Sequence, residues 1–514
     1  MLVALPILLP LFSAACCLLC WGHVRLHKAV APITMAAHLV IAVLLLLEVR
    51  GEGIQHVDVG GWQAPFGIAL VADLFACLMT ILTSIVGLAA VIFSCAATDD
   101  ARARSGHFVL TLALLGAVSG AFLTGDLFNL YVWFELLLLS SFVLLTLGGE
   151  RAQLEGAVKY VTLNLISSIL FLASIGLIYG FTGTLNMADL AGQLDALDKR
   201  DATMLAAPLL AAFGIKAAVF PFFFWLPASY HTPPPVVSAL FAGLLTKVGV
   251  YAIIRSGLLL FDQEWQQLGT AVLIVAGLTM VTGVIGAIAQ NDMRRILSFH
   301  IVSQIGYMLM GLGIAMSVLA RDGSVEVATL VLAGSVFYIL HHIIVKTNLF
   351  LISGVVLHRC GTSELARLGG IATARPFLGI LFLVSALSLA GIPVLSGFWA
   401  KLALVRGGLQ ANAYEIVTIS LLVSLLTLFS MTKIWSQAFW GTAAEEHEDP
   451  GTLARAPASL RVMMVPIACL AALSVIIGIA AAPLFDFALE TATQLLDPQA
   501  YVDAVLQSSP EVMR

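Results

Sequence analysis

The sequence predicts an all-α polytopic membrane protein with about 14 transmembrane helices. Hydrophobic residues make up 60% of the 514 residues, charged residues only 11%, and the mean hydropathy is +1.01. Soluble domains carry roughly 25% charged residues, so this composition excludes a soluble enzyme, a nucleic-acid binder and a disordered scaffold. At about 20 apolar residues per crossing, a chain of this length holds on the order of 14 to 16 spans.

Apolar runs separated by polar breaks define the individual spans. The N-terminal run lacks the basic segment that opens a signal peptide and is followed by a second apolar run, so it is predicted as the first span. The predicted spans are 2–20, 29–48, 67–96, 107–124, 126–148, 156–181, 203–228, 234–257, 267–289, 296–319, 326–356, 376–404, 412–440 and 460–483.

The distribution of basic residues between alternate loops predicts that both termini lie outside. If the first helix runs inward, the cytoplasmic loops carry Arg25, Lys28, Arg102, Arg104, Arg151, Lys159, Arg294, Arg295, Arg359, Arg367, Arg375, Arg455 and Arg461. The outer loops then carry fewer, namely Arg50, Lys199, Arg200, Arg255, Arg321 and Arg406.

Two spans contain residues that interrupt a helix. The seventh contains Pro221 and Pro227 and is followed by Tyr230–Pro235, and the twelfth contains Gly391–Pro393 and Gly397. Proline removes a backbone donor, and in lipid the freed carbonyl must be covered by protein or line a wet cavity. Interrupted segments at corresponding places in two halves are typical of transporters with inverted repeats.

This spacing predicts two inverted five-helix repeats, helices 4 to 8 and helices 9 to 13, each with one broken helix. The chain is accordingly divided into helices 1 to 3 (1–106), the first repeat (107–257), the second repeat (258–440), and the last helix with a C-terminal tail (441–514).

Ionisable residues in the middle of apolar spans are the candidate functional residues. They are Glu135, Lys216, Lys247, His342, Lys346 and Lys401. At roughly 3 kcal/mol per central charge, the carboxylate and four lysines together cost on the order of 15 kcal/mol. Burial disfavours a charged lysine and a nearby carboxylate favours it, so such a series can hold or pass a proton, as in a proton relay.

Structural alternatives remain for several of these residues. Glu135 and Lys216 could form a static buried pair that fixes helix register. His342 and Lys346 are four residues apart and share a helix face, which suits proton transfer, but His341 or His342 could equally be a satisfied core histidine.

Four further polar residues are given a smaller role. Asp73 and Lys433 lie within apolar stretches and are treated as peripheral. His231 and His300 could instead be loop or helix-end residues near a site of proton uptake. The cysteines lie mostly in apolar runs and no His/Cys cluster has metal-ligand spacing, so neither a metal nor a cofactor is predicted.

Four segments of the sequence resemble a known family. They are Gly125–Glu135, Phe213–Pro227, Pro235–Tyr251 and Arg295–Tyr307. These segments look like the antiporter-like subunits shared by Mrp-type Na+/H+ antiporters and the membrane arm of respiratory complex I. The resemblance covers nearly the whole chain.

The resemblance implies a 14-helix fold with two inverted repeats and an axis of charged residues along the membrane midplane. It assigns proton relay to Glu135 and Lys216, a pair that switches between open and closed arrangements, and also to Lys247, His342, Lys346 and Lys401. It also implies partner subunits of the A, B, C, E, F and G types, no nucleic-acid partner, and a location in a bacterial inner membrane. The transported ions would be protons and Na+ (or K+, Li+).

Details within the family favour the Mrp branch. Complex I subunits commonly carry a second histidine in the eighth helix, where this chain reads Leu240–Leu245, and about 30 residues after the last span are too few for a long lateral helix. His231, by contrast, resembles the complex I pattern.

The predicted function is therefore proton translocation within a multi-subunit cation/proton antiporter, not enzyme catalysis. One alternative is a proton-pumping subunit of NADH-quinone oxidoreductase or a membrane-bound hydrogenase, where redox chemistry would belong to partners. Another is a stand-alone solute permease, which would need a large midplane cavity with mixed polar groups rather than single titratable residues.

Overall fold

The computed structural model describes residues 2–261, 265–441 and 458–506, which are almost entirely helical. Arg455, counted above among the cytoplasmic charges, lies outside these residues. The helices are α1 (Leu5–Leu19), α2 (Val24–Glu52), α3 (Leu74–Ala97), α4 (Asp100–Arg104), α5 (His107–Leu123), α6 (Leu127–Thr146), α7 (Arg151–Thr182), α8 (Met187–Asp195), α9 (Lys199–Ala217), α10 (Trp225–Ser229), α11 (Pro235–Leu240), α12 (Thr246–Leu259), α13 (Trp265–Ile288), α14 (Met293–Leu319), α15 (Val325–Cys360), α16 (Ile371–Ala374), α17 (Pro376–Ala390), α18 (Ser396–Gln410), α19 (Tyr414–Ile434), α20 (Ala458–Ile479), α21 (Ala481–Leu495) and α22 (Pro498–Leu506).

Short segments of other helical types join these elements. Single 3₁₀ turns occur at Leu2–Ala4, Val59–Gly61 and Leu365–Arg367, and π-helical segments at Phe241–Leu245 and Trp435–Trp440. The first π segment joins α11 to α12 into one continuous span, Pro235–Leu259, in which residues 236–259 are all buried.

The predicted polytopic helical fold is confirmed. Eleven helices in the described ranges are long and apolar enough to cross a membrane, and two shorter apolar helices, α5 and α17, accompany them. Each lies on a predicted span, and α9 lies on the remaining one, 203–228. The total of 14 crossings stays a prediction.

The third span begins later than the apolar pattern predicted. Residues at the start of the run 67–96 form strand β2 (Ala69–Ala72), which pairs antiparallel with β1 (Gln55–Asp58). Helix α3 begins only after Asp73, whose carboxylate accepts a hydrogen bond from the Ala76 amide at 2.8 Å. Hydropathy cannot separate a buried strand from the helix that follows it, since both are apolar.

The first helix break lies between α9 and α10. Helix α9 ends at Ala218 in the left-handed conformation (φ 59°) shortly before Pro221. The Trp225 indole donates to the Ile215 carbonyl at 3.0 Å, and the Phe220 amide donates to Thr279 Oγ1 at 3.0 Å. Side chains thus satisfy backbone groups that a broken helix would otherwise leave unpaired in an apolar environment.

The second break lies between α17 and α18 and has a similar form. Helix α17 ends at Gly391, also in the left-handed region (φ 91°), two residues before Pro393. The carbonyls of Leu389 and Ala390 at the end of α17 accept hydrogen bonds from the Lys401 ammonium. Both predicted breaks are therefore present, at the predicted prolines.

The same backbone pairing occurs at the starts of α6 and α14. At α6, the Leu127 amide donates to Leu185 O and the Met187 amide to Gly125 O. At α14, the Met293 amide donates to Ser363 O and the Leu365 amide to Asn291 O. An Asp side chain caps each helix, Asp126 in the first case and Asp292 in the second. Two related halves would show this correspondence, although the division into inverted repeats itself stays a prediction.

Candidate functional site

Glu135 and Lys216 lie near the first break but do not form a close ion pair. Lys216 is in the last turn of α9, where its Nζ lies 3.5 Å from Ser168 Oγ and 5.7 Å from the centre of the Phe134 ring. Glu135, on α6, is partly buried, and its Oε1 has no hydrogen-bond partner among the described residues. The Glu135 charge nevertheless acts on the Lys216 ammonium. The two side chains are thus electrostatically coupled, and Lys216 is held loosely.

Lys247 is fully buried at the start of α12. Its ammonium donates to the carbonyl of Ala242, in the π-helical segment one turn earlier. A π segment shifts the backbone pattern from i−4 to i−5 and often marks a functional position in a helix. Here it makes a backbone oxygen available to a lysine for which the described chain supplies no ion-pair carboxylate.

His342 and Lys346 lie in the middle of α15 and are fully buried. The Lys346 ammonium donates to Leu297 O of α14 at 3.0 Å, whereas neither ring nitrogen of His342 has a partner within the described residues. The Lys247 and Lys346 charges both act on His342. These three residues form one electrostatically coupled group between α12 and α15.

Lys401 lies one turn into α18, past the second break. Its ammonium donates to Ala390 O at 2.9 Å and to Leu389 O at 3.2 Å, and it lies 4.9 Å from the centre of the Tyr307 ring. The C-terminal end of α17 carries the negative end of the helix dipole, which stabilises a cation. Lys401 therefore joins the two halves of the broken helix electrostatically.

We call Glu135, Lys216, Lys247, His342, Lys346 and Lys401 the charged line. Each of the four lysines is buried and each donates to neutral oxygens, a carbonyl or a hydroxyl. A buried lysine held in this way is inexpensive to deprotonate, because no carboxylate is left behind unpaired. Such groups can accept and release protons.

His341 belongs to a separate hydrogen-bonded group at the second break. Its Nδ1 lies 2.8 Å from Ser396 Oγ, and the Ser388, Ser396 and Ser474 hydroxyls lie within hydrogen-bond distance of one another. This environment is that of a core histidine on its Nδ1 side. His342, four residues before Lys346, has the opposite character because neither of its ring nitrogens has a hydrogen-bond partner in the described chain.

Asp73 is a polar residue whose importance the sequence did not reveal. Its Oδ2 lies 2.5 Å from Arg255 NH2, and both side chains are buried, 3% and 8% exposed. The Arg255 guanidinium also donates to Tyr251 OH at 3.1 Å and packs on the ring of Tyr501. The treatment of Arg255 as an outer loop charge is wrong, because α12 continues past Arg255 and the N-cap residue of α3, Asp73, supplies its carboxylate.

Arg294 is likewise not a loop charge, because it is the second residue of α14 and its side chain is buried. Its guanidinium, 4% exposed, donates to Pro233 O at 2.5 Å and to Ser238 Oγ at 2.7 Å. His231 lies nearby, with Nδ1 2.9 Å from Pro227 O. Prolines have no backbone N–H, so the Pro-rich segment has more carbonyl acceptors than amide donors. The buried guanidinium of Arg294 supplies donors to this segment.

His300 is also buried, contrary to its treatment as a helix-end residue. It lies in the second turn of α14, fully covered, with Nε2 3.0 Å from Ser430 Oγ of α19. Lys433 is held at a helix end, where its ammonium donates to Gln290 O at 2.7 Å and to Asn291 Oδ1 at 2.9 Å. Lys433 thus acts as a C-terminal cap for α13, in agreement with a peripheral position.

Comparisons with known proteins agree with this architecture. The family model described as "NADH:quinone oxidoreductase/Mrp antiporter, TM" matches residues 124–427. The D-type subunit of the Na(+)/H(+) antiporter of Alkalihalophilus pseudofirmus OF4 is 44% identical over 507 residues, covering 98% of this chain and 99% of that protein.

Two solved structures resemble the whole chain. A chain in the Mrp complex from Dietzia sp. DQ12-45-1b superposes with a TM-score of 0.89 at 32% identity, covering 98% of this chain and 99% of that one. A chain of the membrane-bound sulfane sulfur reductase, an archaeal respiratory membrane complex, superposes with a TM-score of 0.87 at 26% identity and covers the same shares. Since the family model spans more than half of the sequence and the relatives span nearly all of it, this chain belongs to the NADH:quinone oxidoreductase/Mrp antiporter family of membrane proteins.

Proposed function

We propose that this chain is the proton-translocating, D-type subunit of a multi-subunit Na+/H+ antiporter. The observation that carries the proposal is the charged line, in which four buried lysines on four helices each donate to a carbonyl or hydroxyl oxygen. The 44% identity with the D-type subunit of a known antiporter, over almost the whole length, supports the assignment to that branch.

In this proposal the charged line relays protons by transfer between neighbouring titratable groups. A neutral lysine accepts a proton and becomes an ammonium, which burial disfavours unless a neighbour loses its own charge. Glu135 acts on Lys216, and Lys247 acts on both His342 and Lys346, so the protonation of one group changes that of the next. Coupled groups of this kind titrate as a unit and can pass one proton at a time.

The driving force is the proton gradient across the cell membrane. Each charge moved across 100 mV is worth about 2.3 kcal/mol, so an inward flux of more protons than outward cations makes the exchange electrogenic. The cation is Na+, or K+ or Li+, and the proposed partners are the A, B, C, E, F and G types of subunit. The excess of basic residues in alternate loops supports an arrangement with both termini outside.

A second candidate is a proton-pumping subunit of a redox-driven complex. The resemblance to a chain of an archaeal respiratory membrane complex favours it, since the two chains superpose over nearly their whole length. The charged line would serve a redox-driven pump equally well, because it moves protons without regard to the source of energy. Partners, rather than this chain, would then decide the function.

The native complex tests the proposal directly. We expect purification in mild detergent followed by mass spectrometry to find small hydrophobic partners, no flavin or iron-sulfur subunits and no NADH oxidation. After reconstitution in proteoliposomes, an imposed Na+ gradient should drive proton movement. Redox partners with NADH oxidation, or no Na+-driven proton movement, would contradict the antiporter assignment.

A further inference from the structure

Helix α14 contacts two lysines of the charged line at points that are well separated along its axis. The Lys346 ammonium donates to Leu297 O, and the Lys401 ammonium lies over the Tyr307 ring. These contact points are ten residues apart on one helix, which corresponds to about 15 Å along its axis. Direct proton transfer needs heavy atoms about 2.6–3.2 Å apart, or one water between them, so polar side chains on α14 between these contact points would shorten the path of a proton from one lysine to the other.

The face of α14 between these contacts carries buried polar side chains. Leu297, His300, Gln304 and Tyr307 follow a spacing of three, four and three residues and so lie on one face. His300 and Gln304 are fully buried. His300 Nδ1 and Gln304 Nε2 have no hydrogen-bond partner within residues 2–261, 265–441 and 458–506. A buried polar atom without a hydrogen bond destabilises the fold, so two such atoms on one helix face call for an explanation.

The charges around His300 come from both lysines. Those acting on its ring are Lys346 of α15 and Lys401 of α18, and His342 is coupled to it as well. On the remaining side, Ser430 of α19 holds Nε2 at 3.0 Å. His300 is thus the titratable side chain of α14 that is coupled to both lysines.

We propose that His300 carries protons between Lys346 and Lys401, which extends the charged line by a residue on α14 and rests on the proposed function. Because Nε2 is hydrogen-bonded to Ser430, Nδ1 is the ring nitrogen that accepts and releases the proton. The Lys346 ammonium loses a proton to Nδ1, directly or through a bridging water, and becomes an amine. The imidazolium then gives a proton in the same way to the neutral Lys401 amine. Only N–H bonds form and break, and the ring returns to its neutral state.

A purely structural role for His300 is the alternative, since the bond to Ser430 joins α14 to α19. His38 provides a matched control for that reading. It is also fully buried, with Nδ1 2.7 Å from Ser84 Oγ and Nε2 2.9 Å from Pro6 O, but it lies in α2 and outside the charged line. Loss of a histidine that only links helices should affect both positions alike.

The test compares the H300Q and H38Q variants of the whole complex after reconstitution in proteoliposomes. Na+-driven proton flux is measured and divided by the amount of assembled complex. We expect H300Q to lower the maximal rate at least tenfold without changing KM for Na+, and to remove one titrating group from the pH profile. H38Q should lower only the yield of assembled complex, leaving the rate per complex and the pH profile unchanged.

Three outcomes would overturn the proposal. Wild-type flux per complex in H300Q would show that the proton takes another route. An equal loss in H300Q and H38Q would make the histidine structural. A wild-type complex that assembles but shows no Na+-driven flux would refute the proposed function and this role with it. This outcome differs from the other two because the wild-type complex itself is inactive.

Discussion

The protein buries charge in two ways, at the Asp73–Arg255 pair and along the charged line. At the pair, a carboxylate lies 2.5 Å from a guanidinium that also donates to Tyr251 OH and packs against the Tyr251 and Tyr501 rings. Tyr251 OH in turn donates to Phe122 O at 2.7 Å. An ion pair, hydrogen bonds and ring contacts thus hold the members of this cluster to one another.

The lysines of the charged line have simpler partners. Lys401 donates to two carbonyls, Lys346 and Lys247 to one each, and Lys216 makes a single long contact with Ser168. A carbonyl that loses its donor costs far less than a buried carboxylate that loses its counter-charge. The comparison indicates that the pair fixes structure, whereas the lysines can change protonation while the fold stays intact.

The largest expected effect on stability follows from breaking the pair. D73A or R255A leaves one uncompensated buried charge, which should lower the free energy of unfolding by about 3–5 kcal/mol. The measurement is thermal or denaturant unfolding of the purified complex. Replacing both residues, in D73L/R255M, should recover much of the loss; an unchanged stability in either single variant would contradict a structural role for the pair.

A smaller loss is expected where the second break is tightly packed. A Cβ atom at Gly397 would overlap Ser388 O and lie 2.8 Å from His341 Nε2, so G397A must shift backbone and should cost about 1–3 kcal/mol. Gly214 near the first break is the control, because its Cβ would meet only the Val219 side chain, at 3.1 Å. Equal yields of assembled complex from G397A and G214A would contradict this packing argument.

Removing a member of the charged line should separate activity from stability. K216A and E135A should each abolish Na+-driven proton flux. The free energy of unfolding should change by no more than about 1 kcal/mol, because Lys216 makes one long contact and the burial of its charge is unfavourable. Flux and unfolding are measured on the same preparation. Retention of wild-type flux in either variant would refute the relay as described.

The smallest effect is expected at Ser168. At 3.5 Å its contact with Lys216 is at the limit of a hydrogen bond, so S168A should change stability by less than about 0.5 kcal/mol and flux by less than about threefold. Ser353, whose hydroxyl donates only within its own helix, to Phe350 O, is a matched control. A loss of flux as large as that of K216A would instead make Ser168 part of the relay.

The sequence predicts those features that depend on local composition. Apolar runs give the spans, prolines give the breaks at Pro221 and Pro393, and an ionisable residue amid apolar residues marks each position of the charged line. These signals are readable because the membrane imposes the same requirement on every crossing segment.

Features that depend on packing between distant segments could not be predicted. Arg255 stands near the end of an apolar run, where a loop charge is expected, and its partner Asp73 is 182 residues away in the sequence. His300 lies close to the predicted start of its span, and only the packing of α14 against α15 and α19 buries it. The amphipathic helix α21 is not among the predicted elements, because its polar face resembles a loop in a hydropathy profile.

The most direct test of the charged line as the proton path is Na+-driven proton flux in proteoliposomes containing the complex with K401A. Its two carbonyl contacts and its position beside the second break make Lys401 the best-defined cation of the line. We predict that the complex assembles and that flux falls to the background of empty vesicles. Wild-type flux from an assembled K401A complex would contradict the account and make Lys401 a structural cap of α17.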